Sequence, residues 1–335
     1  MAFLLQQTLI YAIPLMIVAL AGIFAERSGV INLALEGIMI MGAFIGVLVV
    51  YSFQKENLFT KDQAQLLMLS ALVISGIGSA LFAMLLGFAA IHLKADQTIG
   101  GTALNLMAPA MVLFLIIIIT SQNTLNMVGD APSWFMIKKT DLGFEKTANI
   151  GLLGEVFLNK FYLTNYIGIA LYVVLSVILY KTKFGLRLRA CGENPQAADS
   201  LGINVYKMRY LGVAISGFLA GVGGFIYALT TANCASTGDV AGFGFLALAV
   251  MIFGNWKPLN TALASLVFGL FKCIAAAYST IDINGDGVYM LKEIGISPYV
   301  YRMLPFIITL VVLVIAGGKS RAPKAEGIPY DKGSR

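Results

Sequence analysis

The densest group of potential metal ligands lies between Asp282 and Glu293, where the sequence reads Asp-Ile-Asn-Gly-Asp-Gly-Val-Tyr-Met-Leu-Lys-Glu. Every specified position of the pattern D-x-[DN]-x-[DN]-G-x5-E is filled. Asp282, Asn284 and Asp286 offer side-chain oxygens, Val288 a backbone carbonyl and Glu293 a bidentate carboxylate, with Gly287 at the sharp turn. Oxygen ligands at this spacing suit Ca²⁺. The flanks are not the paired amphipathic helices of an EF-hand, because a long apolar stretch precedes the loop and Gly295-Ile-Ser-Pro298 follows it. The loop reads either as a structural Ca²⁺ clip of extracellular affinity or as a polar Asp/Asn/Gly turn.

Other polar side chains sit inside apolar stretches, where an ionisable group is expensive and needs a partner, a cavity or the interior of a bundle. Glu36 falls about two turns into one such stretch, with Asn32 one turn before it on the same face. The pair could line a pathway or hinge, or serve as a hydrogen-bonding anchor for the 25–35 turn. Thr102 and Asn105 share one face of another stretch, facing either a polar solute or a neighbouring helix. Lys272 either snorkels outward or faces a cavity. A single histidine, His92, leaves no constellation for hydrolytic chemistry. Gly318-Lys-Ser320 imitates the end of a phosphate-binding loop, but Leu313 stands where the first glycine is needed. The sequence offers neither a catalytic residue nor a nucleotide site, and no enzymatic activity is expected of this chain.

The elements that must position these residues are transmembrane helices. Of 335 residues, 59% are hydrophobic and 12% charged, about half the usual charged fraction of a soluble domain. Windows of about 20 apolar residues fall at 3–24, 30–52, 66–91, 99–119, 163–180, 210–232, 243–256, 258–280 and 299–318. The predicted fold is an all-α polytopic bundle of about nine (eight to ten) spans, forming one membrane domain over 1–320. The 243–256 stretch is short, roughly 21 Å as a helix, and suits a tilted or re-entrant segment. Gly42, Gly46, Gly217 and Gly221, with Gly223-Gly224, have the spacing that lets helix backbones approach closely.

The net charge of +6 is a topology signal rather than a nucleic-acid signal, because basic residues cluster in loops. The 181–209 loop has six Lys and Arg against two acids, and the segment after Gly318 has five. Placing both inside puts the N-terminus outside, the C-terminus inside and the loops at 53–65, 120–162 and 281–298 outside. Residues 321–335 are expected to form a disordered cytoplasmic tail.

Within the 181–209 loop, Asn194 is a good N-cap and Pro195 a good first helical residue. Gly202 suits a left-handed stop. This spacing predicts a helix of about seven residues, exposed between two basic strips.

The run Glu26-Arg-Ser-Gly-Val-Ile-Asn-Leu-Ala-Leu-Glu-Gly-Ile-Met-Ile-Met-Gly-Ala-Phe44 resembles the N-terminal signature of permease subunits of bacterial ABC importers for nucleosides and simple sugars. Ala95-Asp-Gln-Thr-Ile-Gly-Gly-Thr-Ala-Leu-Asn105, Gly192-Glu-Asn-Pro-Gln-Ala-Ala198, and Gly242 to Gly254 followed by Pro258-Leu resemble the same family, in order across roughly residues 5–320. The resemblance implies that Gly192, Glu193, Asn194, Pro195, Ala197, Ala198 and Gly202 form the coupling element that docks on an ATPase. It implies a bacterial cytoplasmic-membrane location and three partners. These are a second homologous permease, an ATPase with tandem nucleotide-binding domains that holds the ATP and Mg²⁺, and a solute-binding lipoprotein. Purine nucleosides are the first expectation for the solute, with simple sugars, riboflavin or branched-chain amino acids as alternatives. An ion-coupled secondary transporter is the rival class, for which Glu36 alone offers an intramembrane acid.

Overall fold

The computed structural model describes residues 2–128, 131–143, 145, 151–278, 293, 295–316 and 321–333. Four long apolar helices come first: α1 (Ala2–Arg27), α2 (Leu35–Lys55), α3 (Ala64–Ile91) and α4 (Gln97–Thr120). A mixed segment follows, with β1 (Leu125–Asn126), α5 (Ala131–Phe135), β2 (Met136–Ile137), α6 (Gly151–Phe157) and β3 (Phe161–Tyr162). Next come α7 (Leu163–Lys181), α8 (Lys183–Glu193), α9 (Pro195–Ser200), α10 (Val205–Thr230) and β4 (Ala235–Ser236). The last elements are α11 (Phe243–Phe253), α12 (Pro258–Ala277) and α13 (Pro298–Ala316).

Among the described residues, seven helices are long and apolar enough to cross a membrane: α1–α4, α7, α10 and α12. The nine-span expectation therefore resolves into seven full crossings, α13, and α11. With 11 residues, α11 reaches only about 16 Å and is half a span. It begins inside the bundle, because the chain enters by the extended β4 and a turn at Ala241-Gly242, both with positive φ. The 120–162 segment also differs from a plain loop. Its β1 pairs antiparallel with β4 (Leu125 opposite Ser236), and its β2 pairs with β3.

Burial separates a central layer from a peripheral one. The apolar windows of α1 and α10 are 83% and 78% buried, whereas those of α4 and α7 are 22% and 28% buried. Lipid tails are as apolar as leucine, so the central layer is held by close backbone approach and internal hydrogen bonds. A Cβ on Gly42 of α2 would lie 2.4 Å from the Cα and carbonyl oxygen of Gly221 in α10. Where these helices meet, Ser75 Oγ of α3 lies 2.7 Å from Gly42 O and 3.0 Å from Gly221 O, tying three helices together. The small-residue spacing seen in the sequence is thus used within one chain.

The disordered tail expected at 321–335 is not what the structure shows for 321–333. Ala325 and Tyr330 are buried. Ala325 N donates to Gly192 O at 2.8 Å, Gly327 N donates to Gly29 O at 3.2 Å, and Arg321 N donates to Asn255 Oδ1 at 2.8 Å. Arg209, 1% exposed, donates from Nη1 to Ile328 O at 2.9 Å. A polar Pro- and Gly-containing segment reads as solvated by composition, but here it docks because the α1–α2 link and α8 present backbone carbonyls to it and α10 a buried guanidinium.

Replacing Gly221 by Val is expected to cost about 1–3 kcal/mol or more and to lower the melting temperature of the detergent-purified protein. Gly100→Ala, whose Cβ would meet only Leu86 Cδ1 at 3.5 Å, is expected to leave it unchanged or slightly raised.

Candidate functional site: a capped half-helix beneath a cavity and a short capped helix at the other end of the bundle

The N-terminus of α11 leaves backbone N–H groups inside the membrane, where no bulk water can accept them. Glu36 accepts them instead: Oε1 from Gly242 N at 2.9 Å, and Oε2 from Gly244 N at 2.6 Å and Phe245 N at 3.2 Å. Gly244 permits the approach, since a Cβ there would lie 2.4 Å from Glu36 Cα. Glu36 is therefore in the first turn of α2 rather than two turns into a span, because residues 28–34 are not helical. The anchor reading of the sequence is the geometry found, although the segment anchored is α11 and not the 25–35 turn.

The other polar candidates hold that irregular segment in place. Asn32 donates from Nδ2 to Ser216 Oγ at 2.8 Å and accepts from Ala34 N at 3.1 Å. Asn105 accepts from Gly37 N at 2.8 Å and donates to Leu33 O at 2.7 Å, so its amide is used between α4 and the start of α2. Thr102 is exposed and bonds its own helix at Thr98 O. These four residues line neither of the cavities described next.

Above the N-terminus of α11 lies a cavity of about 340 Å³ walled by Tyr11, Tyr227, Phe243 and Phe306, with Lys272 and Arg302 on its edge. Lys272 Nζ donates to Ala241 O at 2.8 Å and sits 4.6 Å from the centre of the Phe243 ring. Of these residues, sequence reasoning singles out Lys272. The four rings carry no signal, because aromatic residues in apolar spans look like any lipid-facing or core residue. A second, more polar cavity of about 640 Å³ includes Gln6, Glu155, Asn159, Lys160 and Asn233, and shares Tyr11 and Thr231 with the first.

At the opposite ends of α1 and α10, the segment predicted as one short helix contains two. The unpredicted α8 runs from Lys183 to Glu193, with Thr182 as its N-cap. The predicted helix is α9, in which Asn194 Oδ1 accepts from Ala197 N at 3.0 Å and Pro195 occupies the first position. Gly202 follows with φ +79°. Glu193, Asn194 and Ala197 are exposed, while Gly192 and Ala198 are buried. Glu193 pairs with Arg27 at 3.2 Å. Beside them, the Glu326 carboxyl of the docked segment lies next to Glu26, and burial pushes its pKa up to about 7. Of the calcium-type loop, Asp282, Asn284, Asp286 and Val288 lie outside the described residues, and Glu293 is exposed.

Seven long apolar helices with a half-length helix capped inside the bundle make this a multi-pass membrane protein, and a half-helix ending beside a cavity is a recurring feature of transporters. The family model for branched-chain amino acid transport systems, permease component, matches residues 4–313. The chain is 40% identical over 324 residues to the nucleoside ABC transporter permease protein NupC of Lactococcus lactis subsp. cremoris, covering 97% of this chain and 95% of that one. It is also 40% identical over 336 residues to the guanosine ABC transporter permease protein NupQ of Bacillus subtilis, covering 100% and 98%. A second Lactococcus nucleoside permease, NupB, is 25% identical over 335 residues, covering 96% and 84%. No solved structure matches the chain. The chain belongs to the permease family of these transport systems and is a transport subunit.

Glu36→Ala strands the N–H groups that cap α11 and is expected to cost about 2–4 kcal/mol, read as a lower unfolding temperature; Glu36→Gln, which keeps one acceptor, should lose less. The docked segment binds a proton at Glu326 more tightly than a free carboxyl does, so its docking should weaken as pH rises from about 4.5 to about 7. Hydrogen exchange at 325–330 should accelerate across that window and become pH-insensitive, after correction for intrinsic rates, in Glu326→Gln.

Proposed function

We propose that this chain is the transmembrane permease of an ATP-driven importer for purine nucleosides. The observation that carries the reading is similarity along essentially the whole chain, at 40% identity, to two permeases named for nucleoside and guanosine transport. ATP hydrolysis takes place on a separate ATPase with tandem nucleotide-binding domains, since the sequence offers no phosphate-binding loop. A second permease of the same family completes the membrane unit, a reading supported by the occurrence of NupB and NupC as two nucleoside permeases in one organism. A lipid-anchored binding protein delivers the solute from outside.

The Lys and Arg residues of the 181–209 segment support a cytoplasmic position for α8, α9 and the docked 321–333 segment. There α9 offers what a docking ATPase needs: a short helix with a fixed N-terminus and a protruding apolar side chain. Leu201, 81% exposed just after it, supplies that side chain. Burial of Ala198 and of Gly192 holds α9 against the bundle, so displacement of α9 is passed to α1 and α10.

Vesicle uptake of radiolabelled guanosine tests the reading. Uptake should require the co-expressed ATPase and ATP, and persist when ion gradients are collapsed. Replacing residues 193–195 by glycines, or Leu201 by Ser, should reduce ATPase co-purification at least ten-fold while the permease still accumulates in the membrane. Retained ATPase binding in both variants would refute the coupling role of α9.

A further inference from the structure

We infer that the aromatic cavity above α11 is where the flat ring of an uncharged heterocyclic solute stacks partway across the membrane. This assignment rests on the importer reading and extends it to named residues. The two cavities adjoin, because Tyr11 and Thr231 line both the more polar one and the aromatic one. The bottom is closed by Phe243, 1% exposed, and by Tyr227, 8% exposed, directly over the helix that Glu36 caps. A solute entering among Gln6, Asn159 and Asn233 exchanges water for side-chain polar groups first and meets the rings second.

The chemistry of the inner cavity selects among solutes. Tyr227 and Phe243 have ring centres 4.8 Å apart, and Tyr11 stacks on Phe243 at 6.4 Å and 27°. With Phe243 and Tyr227 buried beneath, half-exposed Phe306 and partly exposed Tyr11 are the rings on which a planar aromatic guest can stack, each stack being worth about 1–3 kcal/mol. An ammonium has three N–H donors, and among the described residues Lys272 gives one to Ala241 O. The others are available to carbonyl, ring-nitrogen or hydroxyl acceptors.

A free amino acid fits poorly, since among the described residues no acidic one lines the cavity to receive its ammonium. The volume of about 340 Å³ is at the small end of ligand sites, and so suits a single nucleoside-sized molecule. The ligand class that meets all three conditions is a neutral nucleobase carrying a hydroxylated sugar.

The test is uptake of radiolabelled guanosine, with radiolabelled ribose in parallel, by vesicles containing this chain and its co-expressed partner subunits. Phe306→Leu, at a half-exposed ring, and Lys272→Met should each lower guanosine uptake about ten-fold, and Phe306→Tyr should restore most of it. Wild-type guanosine uptake in both variants would overturn the site while leaving the importer reading intact. Ribose uptake without guanosine uptake in the wild type would overturn both the ring-stacking site and the nucleoside reading. A second measurement avoids dependence on transport rates. The three native cysteines of this chain are buried, so in a Phe306→Cys variant alkylation of this chain, read on its own band after the subunits are separated, reports on that position. Guanosine should slow the alkylation several-fold, and an unchanged rate would overturn the site.

Discussion

A helix that starts inside a bilayer presents backbone N–H groups where water cannot take them, and this chain contains such a helix. The arrangement around it follows from how those groups are satisfied. Glu36 reaches α11 from α2, Gly244 leaves room for the carboxyl group, and Asn32 and Asn105 fix the irregular turn from which Glu36 projects. Each of these polar groups would be costly alone in hydrocarbon. Bonded to one another, they allow an extended segment to enter the bundle and leave a cavity above it. Without the cap, α11 would have no reason to stop at that depth.

The same stretch of chain faces two ways. At one end, Arg27 meets Glu193, and the backbone of Gly29 receives the docked 321–333 segment. At the other, Glu36 holds the floor of the aromatic cavity. The Arg27–Glu193 contact and the cavity floor are therefore joined by the single irregular segment that links α1 to α2. Trp256 adds a second tie, donating to Glu26 at 2.5 Å from the turn that follows α11. Around this segment the central helices are locked by glycine contacts and by Ser75, so they behave as packed units rather than compliant rods.

What the sequence revealed divides along the range of the interactions. Long apolar windows located the crossing helices because hydrophobicity and length are local properties. The Asn194-Pro195 cap and the Gly202 stop were legible for the same reason. The partner of Glu36 was not, as its oxygens bind residues more than 200 positions away, Gly242 being 206 away. Docking of the 321–333 segment was hidden because its bonds run mainly through backbone groups, which any sequence possesses. The cavity walls were hidden too: Tyr11, Tyr227, Phe243 and Phe306 are ordinary members of apolar spans until the fold turns them toward a common space.

The cap also bears on how the protein is made. A stretch of 11 residues is too short to be threaded across a bilayer as an independent span, so α11 must enter as part of a longer unit with α12. Its exposed N–H groups find their acceptor on a helix synthesised much earlier, and the pairing closes a very long loop, which slows folding. During biogenesis α2 must therefore wait with an unpaired acid beside it, sheltered by lipid headgroups, water or an insertase. The residue that stabilises the finished floor is, until then, an acid without its partners inside the membrane.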